Sequence, residues 1–491
     1  MPDFRNTTNK PNLSDSILDT DFSELKNYLS RAVELAAKEE SDFIFSVTIA
    51  FEQLDPLAVL EVLAEPDTFQ YYWEYPEEKL AISAGKSIVK IANDGNNRFE
   101  QTSKQIHSWK ERLVEYSIFN HSLAGVHFLG GFSFFDHITS AKWEEFGSST
   151  FIVPEWTFIK DGELSILTIN KRINPFDDAD SLSDSFRTLF STAHGKLKTL
   201  TNSANHSAKS SASQKSIQII EDEHALDVWR ENIAKAKGNI RTGKYDKIVL
   251  SRKIEATIDG EYHPTRILNA LRKEYPACYT FLFRPEGKSS LIGCTPERLL
   301  SVRSNYILTE GLAGSISRGK TATDDTILEK KLLNSEKDLE EHQYVLKSIE
   351  IRLKDFSDEI NYPKKPGIKK FTNVQHLYTP VSAWMRQHYD AFVILKRMHP
   401  TPAVGGFPTV NALPDIPELE LYDRGWYAGP VGWINSKGRG EFVVAIRSGL
   451  VNRNKASFYA GCGIVEHSDP DAEWEETKLK FIPMLEAIRH A

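Results

Sequence analysis

The chain has 491 residues, of which 40% are hydrophobic and 26% are charged, a composition typical of a globular protein with one large core or two or three domains. Its formal net charge of −8 argues against general binding to nucleic acid, and no apolar run reaches the ~18 residues of a membrane-spanning helix. The three cysteines are scattered and the N-terminus lacks the plan of a signal peptide, so we expect a protein of the reducing cytoplasm.

The first part of the chain is predicted to be rich in strands. Residues 1–20 are polar and are expected to form a disordered tail. The spacing of apolar residues predicts a helix over 22–38, and a strand is predicted at 43–51. An aromatic cluster at 71–76 is typical of a core. Further strands are predicted at 80–91, 126–135, 151–154 and 164–170.

A serine-rich segment divides the chain. Residues 203–216 (SANHSAKSSASQKS) have no large apolar side chain, which is typical of an exposed linker. Helix and strand patterns alternate after it, beginning with a helix at 224–238 and a strand at 246–258. No glycine motif for a dinucleotide or a nucleotide phosphate is present. We therefore expect a strand-rich half at 21–202 and a half that carries the site at 217–491, packed together as one fold.

Two charged side chains interrupt apolar strands early in the second half. In KIVLSR, Lys247 enters a strand, where a lysine usually lies at an edge with its ammonium in water. Desolvation beside another cation would instead allow it to act as a base. In LIGCTPERLL, Thr295 and Pro296 break a strand and present Glu297 after the turn, although a surface Glu–Arg pair would also explain the pattern.

Small residues and a helix cap follow. The segment 309–317 (TEGLAGSIS) offers small residues whose backbone N–H groups could hydrogen-bond a carboxylate. Ser335 is the predicted cap of the next helix, and Asp338 completes a capping box. Glu341 lies on the same helix face, and capping does not explain it. His376 would by itself be interpreted as a core histidine with satisfied hydrogen bonds.

The end of the chain combines an arginine strand, a glycine strand and an acidic helix. The pattern predicts one strand over 442–451 that carries Arg447, whose buried guanidinium needs an anionic partner, and a second over 457–465 that contains Gly461. A helix with Asp469 as its cap follows. Three charged residues share one face of it: Glu473, Glu476 and Lys480. A surface ion pair would explain the helix alone, but the three elements in succession favour a site for an anion and a cation.

Together these motifs resemble the chorismate-utilising enzymes, and among them the isochorismate synthases. The resemblance covers residues 246–480 continuously and extends loosely back to the aromatic cluster, whereas residues 1–60 have no match. The strings that carry it are KIVLSR, CTPER, LAGS, SEKDLEEH, HPTPAVGGFP and WYAGPVGW. The resemblance implies that LAGS, within 309–317, is a loop. The fold that it implies is α/β (α+β), with large antiparallel sheets packed together and helices outside.

The resemblance also implies roles for individual residues. Lys247 would be the general base and Glu297 the general acid, while Glu341 and Glu476 would bind Mg²⁺. Two further carboxylates would hold the waters of that ion: Asp338 and Glu473. Contacts with the substrate are implied for Gly314, Ser315, His376, Tyr427, Gly429, Arg447, Gly461 and Lys480.

The implied activity is that of an isomerase that converts chorismate into isochorismate with Mg²⁺, in menaquinone, siderophore or salicylate biosynthesis. A salicylate synthase would use the same residues and also expel pyruvate, and no motif separates the two. An anthranilate or aminodeoxychorismate synthase subunit would use ammonia and an amidotransferase partner, which Lys247 argues against. A non-catalytic chorismate-binding protein would need neither Lys247 nor Glu297. We expect a monomer or weak dimer without an amidotransferase subunit.

Overall fold

The computed structural model describes residues 22–117, 119–202 and 217–490. The expected tail at 1–20 and the expected serine-rich linker at 203–216 lie outside the described residues. The elements before the serine-rich segment are α1 Phe22–Glu39, β1 Phe43–Phe51, α2 Pro56–Leu63, β2 Gln70–Tyr75, β3 Leu80–Ala92, α3 Arg98–Glu111, β4 Leu113–Ser117, β5 His127–Phe132, β6 Ser149–Asp161, β7 Leu164–Ile173 and α4 Ala179–Asn202.

The second half contains more, and shorter, elements. Those from 217 to 384 are β8 Ile217–Ile220, α5 Ala225–Arg241, β9 Lys247–Ile258, α6 Pro264–Glu274, β10 Tyr279–Arg284, β11 Ser289–Thr295, β12 Arg298–Arg303, β13 Tyr306–Ser317, α7 Ala322–Leu333, α8 Glu336–Leu353, β14 Glu359–Asn361, β15 Gly367–Lys370 and β16 Val374–Trp384. Those that follow are α9 Ala391–Met398, β17 Gly406–Phe407, α10 Thr409–Ala412, α11 Ile416–Glu420, β18 Pro430–Asn435, β19 Gly440–Val444, β20 Ser448–Asn452, β21 Lys455–Ile464 and α12 Pro470–Ala487.

Local sequence explains where the helices that matter most for the site begin. Ser335 accepts a hydrogen bond from the backbone N–H of Asp338 at the start of α8, as the capping box predicts. Asp469 accepts one from the N–H of Ala472 at the start of α12, with Pro470 in the first helical position. Within the described ranges, no helix is long and apolar enough to cross a membrane.

Hydrogen-bonded ladders join the 21 strands of the described residues into one continuous sheet. The ladders are antiparallel, except that β1 and β4 are parallel. Strands from before and after the serine-rich segment pair directly with each other. β2 pairs with β10, and β5 pairs with β18. The predicted antiparallel architecture with helices outside is therefore confirmed, with the strands connected in a single sheet.

Both faces of this sheet are buried. Along β2, Tyr71 and Trp73 belong to one apolar cluster, whereas Tyr72, which points to the opposite face, belongs to the other. The second cluster also contains apolar residues of α1, α4, α6 and α12. The first cluster contains apolar residues of α3, α5, α8 and α9. Helices therefore contribute to the core on both faces, which explains why the strands are apolar on both sides.

The prediction of one continuous strand over 442–451 is wrong, because the chain leaves its hydrogen-bonded ladder in the middle of this range. β19 ends at Val444 and β20 begins at Ser448. Between them, Ala445 exchanges backbone hydrogen bonds with the 428–429 segment instead of continuing along a neighbouring strand. Arg447 then adopts a left-handed φ of 48°. The arginine consequently lies at a break in the sheet and not in the middle of a strand.

The segment 309–317 is not a loop but lies within β13. Its ladder with β16 shifts register between Ala313 and Ser315, as in a β-bulge. Gly314, the extra residue, has a φ of 76°, a conformation that glycine adopts without steric strain. The bulge explains how small residues can present their backbone to a site while the strand remains hydrogen-bonded.

Candidate active site

A cavity of about 240 Å³ opens between β9, β21, the bulge of β13 and the first turns of α8 and α12. Of the fourteen residues predicted from the sequence, twelve line it: Glu297, Gly314, Ser315, Asp338, Glu341, His376, Tyr427, Arg447, Gly461, Glu473, Glu476 and Lys480. Lys247 lies directly behind the wall, in contact with Glu341. Gly429 does not line the cavity, since it packs against residues 132–134, where a Cβ would lie 2.2 Å from a carbonyl oxygen.

Glu297 is presented between two strands, as predicted. β11 ends at Thr295 and β12 begins at Arg298, so the carboxyl group lies at the break and is buried, with 5% of the residue exposed. The hydroxyl of Thr401 donates a hydrogen bond to its Oε1 at 3.4 Å. Burial and the nearby charge of Glu310 raise the pKa of Glu297 to about 8. At neutral pH the group therefore keeps its proton and can donate it.

Lys247 is not an exposed edge residue. β9 is flanked by β17 and β21, and the lysine side chain is 1% exposed. Its Nζ donates to Oε1 of Glu341 at 2.6 Å. Burial by itself raises the pKa of Glu341, but the charge and hydrogen bond of Lys247, together with the charges of Lys480 and Lys337, outweigh burial and lower the pKa. The lysine is thus desolvated and its only ion-pair partner within the described residues is a carboxylate of the cavity wall.

The space for this lysine depends on Gly463 of β21. A Cβ at Gly463 would lie 2.5 Å from Cε and 3.0 Å from Nζ of Lys247. It would also lie 3.1 Å from Oε1 of Glu341. The absence of a side chain at this position therefore allows the buried ion pair to reach the cavity.

Four carboxylates face each other from the first turns of α8 and α12. Burial raises the pKa of Asp338, and the charge of Glu341 adds to this. Burial also raises the pKa of Glu473, with a contribution from Glu476. Glu476 itself is paired with Lys480, whose Nζ lies 2.6 Å from its Oε1. Two carboxyl groups of this set consequently hold protons more tightly than usual, in part because like charges lie nearby.

The donor set of these two helix faces suits a hard divalent cation. All four groups offer oxygen, and a cation would offset the burial and the repulsion that raise the pKa values of Asp338 and Glu473. Within the described ranges, no three His, Cys, Asp or Glu side chains are already gathered as a metal site. An ion that binds through one or two carboxylates and retains waters fits this arrangement better than an ion that needs a full set of protein ligands.

One end of the cavity carries two cations, and one of them, Lys480, also pairs with Glu476 of the acidic set. Arg447 is 8% exposed, and its guanidinium has no ion-pair or hydrogen-bond partner in the described part of the chain. Lys480 donates to the carbonyl oxygen of Gly461 at 2.8 Å, which directs its ammonium along the glycine strand. Burial lowers the pKa of Arg447, so the charged form gains from any anion that reaches it. This end is prepared to bind a carboxylate.

A neutral histidine lies beside the two cations. Nδ1 of His376 lies 2.7 Å from the hydroxyl oxygen of Ser315, and its buried Nε2 has no hydrogen-bond partner among the described residues. Burial, together with the charges of Arg447 and Lys480, lowers the pKa of His376 well below its usual value. The imidazole is therefore neutral and keeps one ring nitrogen available for a polar group of a ligand.

Sequence reasoning missed several lining residues. Tyr459 of β21 stacks on Tyr427, with ring centroids 5.1 Å apart. Arg424 and Ser251 line the cavity floor, where both contact Glu420. The signal for the pair was present, because Glu420 and Arg424 are four residues apart in ELYDR, the spacing of a helical ion pair. Tyr459 has no signal that distinguishes it from a core tyrosine.

Comparisons with known proteins agree with this geometry. A family model described as "Chorismate binding enzyme" matches residues 29–489. The isochorismate synthase MenF of Bacillus subtilis is 33% identical over 467 residues, which cover 93% of this chain and 96% of MenF. The salicylate biosynthesis isochorismate synthase of Pseudomonas aeruginosa is 31% identical over 465 residues, with 94% of each chain covered.

A solved structure has the same fold. The menaquinone-specific isochorismate synthase MenF of Escherichia coli superposes with a TM-score of 0.71 at 21% identity, covering 94% of this chain and 100% of that protein. The family match extends through both halves of the sheet and includes every element that lines the cavity. The chain therefore belongs to the chorismate-binding enzyme family.

Proposed function

We propose that the protein is a magnesium-dependent isochorismate synthase. Formation of isochorismate is the activity that the names of the three relatives share. The observation that carries the proposal is a buried carboxyl group, Glu297, that keeps its proton at neutral pH and faces a cavity with a buried lysine at its wall. A protein that only binds chorismate would need neither a buried acid nor a buried lysine at this cavity.

Binding of chorismate would begin with its two carboxylates. Arg447 and Lys480 would hold the enolpyruvyl carboxylate, because the guanidinium offers a two-pronged contact and has no competing partner in the described structure. The backbone at Gly461 lies beside them. The remaining contacts with the substrate are assigned to Gly314, Ser315, His376 and Tyr427.

The ring carboxylate would lie at the acidic end. Glu341 and Glu476 would bind Mg²⁺, and Asp338 and Glu473 would hold its waters. The ion would supply positive charge to neutralise the ring carboxylate beside four acidic side chains. Glu341, which accepts a hydrogen bond from Nζ of Lys247 at 2.6 Å, would then link the metal site to the base.

The reaction then requires one proton acceptor and one proton donor. Lys247, in its unprotonated form, would take a proton from water as the water oxygen bonds to C2. Both ring double bonds would shift, from C1=C2 and C5=C6 to C1=C6 and C4=C5, and the C4–O bond would break. Glu297 would give its proton to the departing hydroxyl, which leaves as water because hydroxide is a poor leaving group. One water enters and one leaves, so chorismate and isochorismate are isomers.

Product chromatography tests this proposal. The purified protein, incubated with chorismate and Mg²⁺, is expected to give isochorismate without salicylate or pyruvate. When ammonium salts are added, no aminated product is expected. Lys247→Ala is expected to abolish turnover while calorimetry still detects chorismate binding. Release of pyruvate with salicylate would assign a salicylate synthase instead, and lost binding in the variant would make Lys247 a substrate ligand.

The setting of the enzyme is also proposed. Cys278, Cys294 and Cys462 are buried free thiols, in keeping with a reducing compartment such as the cytoplasm. We propose a monomer or weak dimer that works without an amidotransferase subunit, since water is the nucleophile. Sedimentation of the purified chain, with turnover of the same sample, tests both statements.

A further inference from the structure

A fully buried ion pair lies in the floor of the cavity and has no part in the proposed reaction. Glu420, the last residue of α11, and Arg424 are each 1% exposed at their side chains. Nε of Arg424 donates to Oε2 of Glu420 at 2.9 Å, and a second guanidinium nitrogen donates to Oε1 at 2.5 Å. Ser251 of β9 donates to the same Oε1 from its backbone N–H at 2.6 Å and its hydroxyl at 2.9 Å.

The arginine lies at the point where a strand ladder stops. β17 pairs with β9 only at Lys247 and Ile248. The next backbone contact, from the N–H of Val249 to the carbonyl of Gly405, has lengthened to 3.4 Å. Beyond it Arg424 donates at 2.9 Å to the carbonyl oxygen of Val249 and, through another nitrogen, at 2.9 Å to that of Val404. The guanidinium thus bridges the two backbones at the point where their direct hydrogen bonding weakens and ends.

Each of these backbones leads to one of the two groups that move protons. Val249 lies two residues from Lys247 on the same strand. The N–H of Val404 donates to the carbonyl of Thr401 at 3.1 Å, and the Thr401 hydroxyl donates to Glu297. Arg424 is therefore the shared contact between the strand of the base and the loop that contacts the acid.

We propose that Arg424, oriented by Glu420, is a positioning residue that sets the separation of Lys247 and Glu297 across the cavity. The proposal rests on the proposed function, which assigns these two groups as base and acid. A buried ion pair seldom stabilises a fold more than apolar residues of the same volume would, so its geometry is the more useful property. Two hydrogen bonds from the rigid guanidinium reach the two backbones, and two more hold it against Glu420. Together they fix the backbones at a set distance, which a lysine cannot do.

The test is the conservative variant Arg424→Lys, which keeps the positive charge but not the planar guanidinium with its several donors. Proton transfer depends on sub-ångström placement, and a displacement of about 1 Å can lower a rate about 100-fold. We expect kcat for chorismate consumption to fall by roughly 10- to 100-fold, with KM changed by less than about threefold. Glu420→Gln keeps the shape of the side chain but weakens its hold on Arg424, so it is also expected to lower kcat. This variant replaces Arg424→Lys in the test if the lysine variant does not fold.

Arg98→Lys is the matched control. Arg98 is a buried arginine, 3% exposed at its side chain, that is paired with Asp136 and donates to a backbone carbonyl, but it does not line the cavity. The Arg98→Lys variant is expected to have a lower melting temperature than wild type and an unchanged kcat. A folded Arg424→Lys protein with wild-type kcat would overturn the proposal, as would a large rise in KM at constant kcat, which would make Arg424 a substrate ligand.

Failure of the proposed function would be recognised separately. If the wild-type protein consumes no chorismate, crystal structures of wild type and Arg424→Lys still decide the positioning claim. Displacement of Lys247 relative to Glu297 in the variant supports it, and unchanged positions of both side chains refute it.

Discussion

The protonation of Glu297 makes a prediction about stability that needs no substrate. In the unfolded chain this carboxyl has its ordinary pKa of 4.5, whereas burial and Glu310 raise the pKa to about 8 in the folded protein. Between these two pH values the folded state holds a proton that the unfolded state has released. The contribution of Glu297 to the free energy of unfolding therefore falls as the pH rises through this interval and is constant above about pH 8.

The variant Glu297→Gln removes this dependence, since glutamine has nearly the same shape and does not ionise. One pKa unit corresponds to about 1.4 kcal/mol, so the interval from 4.5 to about 8 gives roughly 5 kcal/mol as the upper limit. Solvent screening removes little of this, because the residue is only 5% exposed. Relative to wild type, the variant should gain stability as the pH is raised, and most of the gain should come before pH 8.

Urea unfolding of both proteins from about pH 4 to about pH 9 measures the difference directly. Thr401→Val is the companion variant: the Thr401 hydrogen bond lowers the pKa of Glu297, so its loss should move the transition to higher pH. In turnover assays, wild-type kcat should decline above about pH 8, and Glu297→Gln should be slower by roughly 10²- to 10⁴-fold. A stability difference that is the same at both ends of the pH range would refute the assignment of Glu297 as a buried acid.

Three other predictions concern the metal, the base and the chain between the halves. Glu341→Gln and Glu476→Gln should each raise the Mg²⁺ concentration needed for half-maximal turnover by at least roughly tenfold. Glu475→Gln, at a neighbouring exposed position, should leave it unchanged, and equal Mg²⁺ requirements in all three variants would remove the metal assignment. Gly463→Ala should lower kcat about 100-fold and spare chorismate binding by calorimetry, because the added Cβ lies 2.5 Å from Cε of Lys247, and near-normal kcat would contradict this account of the base. Limited proteolysis should cut the serine-rich segment and leave two fragments associated and active, whereas strong protection by chorismate and Mg²⁺ would indicate a lid.

The sequence predicted those parts of the site that depend on local chemistry. The caps Ser335 and Asp469 set where α8 and α12 begin, and the spacing along each helix then places the acidic side chains on one face. A proline after Thr295 stops a strand, so the emergence of Glu297 at that point was also predictable. Each of these features is determined by neighbours within about one helical turn.

The features that could not be predicted depend on distant partners. The alternation of apolar residues through 442–451 indicates a strand with two buried faces. It does not indicate that Ala445 forms its backbone hydrogen bonds with the 428–429 segment, which ends the strand before Arg447. The bulge at Gly314 is visible only in its register against β16. The contacts of Arg424 join segments that lie far apart along the chain. Such pairings are determined by tertiary structure, and a strand pattern does not specify its partners.

The central claim is that Lys247 and Glu297 exchange the C4 hydroxyl of chorismate for a hydroxyl taken from solvent. Incubation of the wild-type protein with chorismate and Mg²⁺ in water labelled with heavy oxygen, followed by mass spectrometry of the product, tests it directly. The account predicts isochorismate that carries one solvent oxygen, at C2. Isochorismate without label would show that the hydroxyl migrates within the substrate, and would contradict the assignment of a water-activating base to this site.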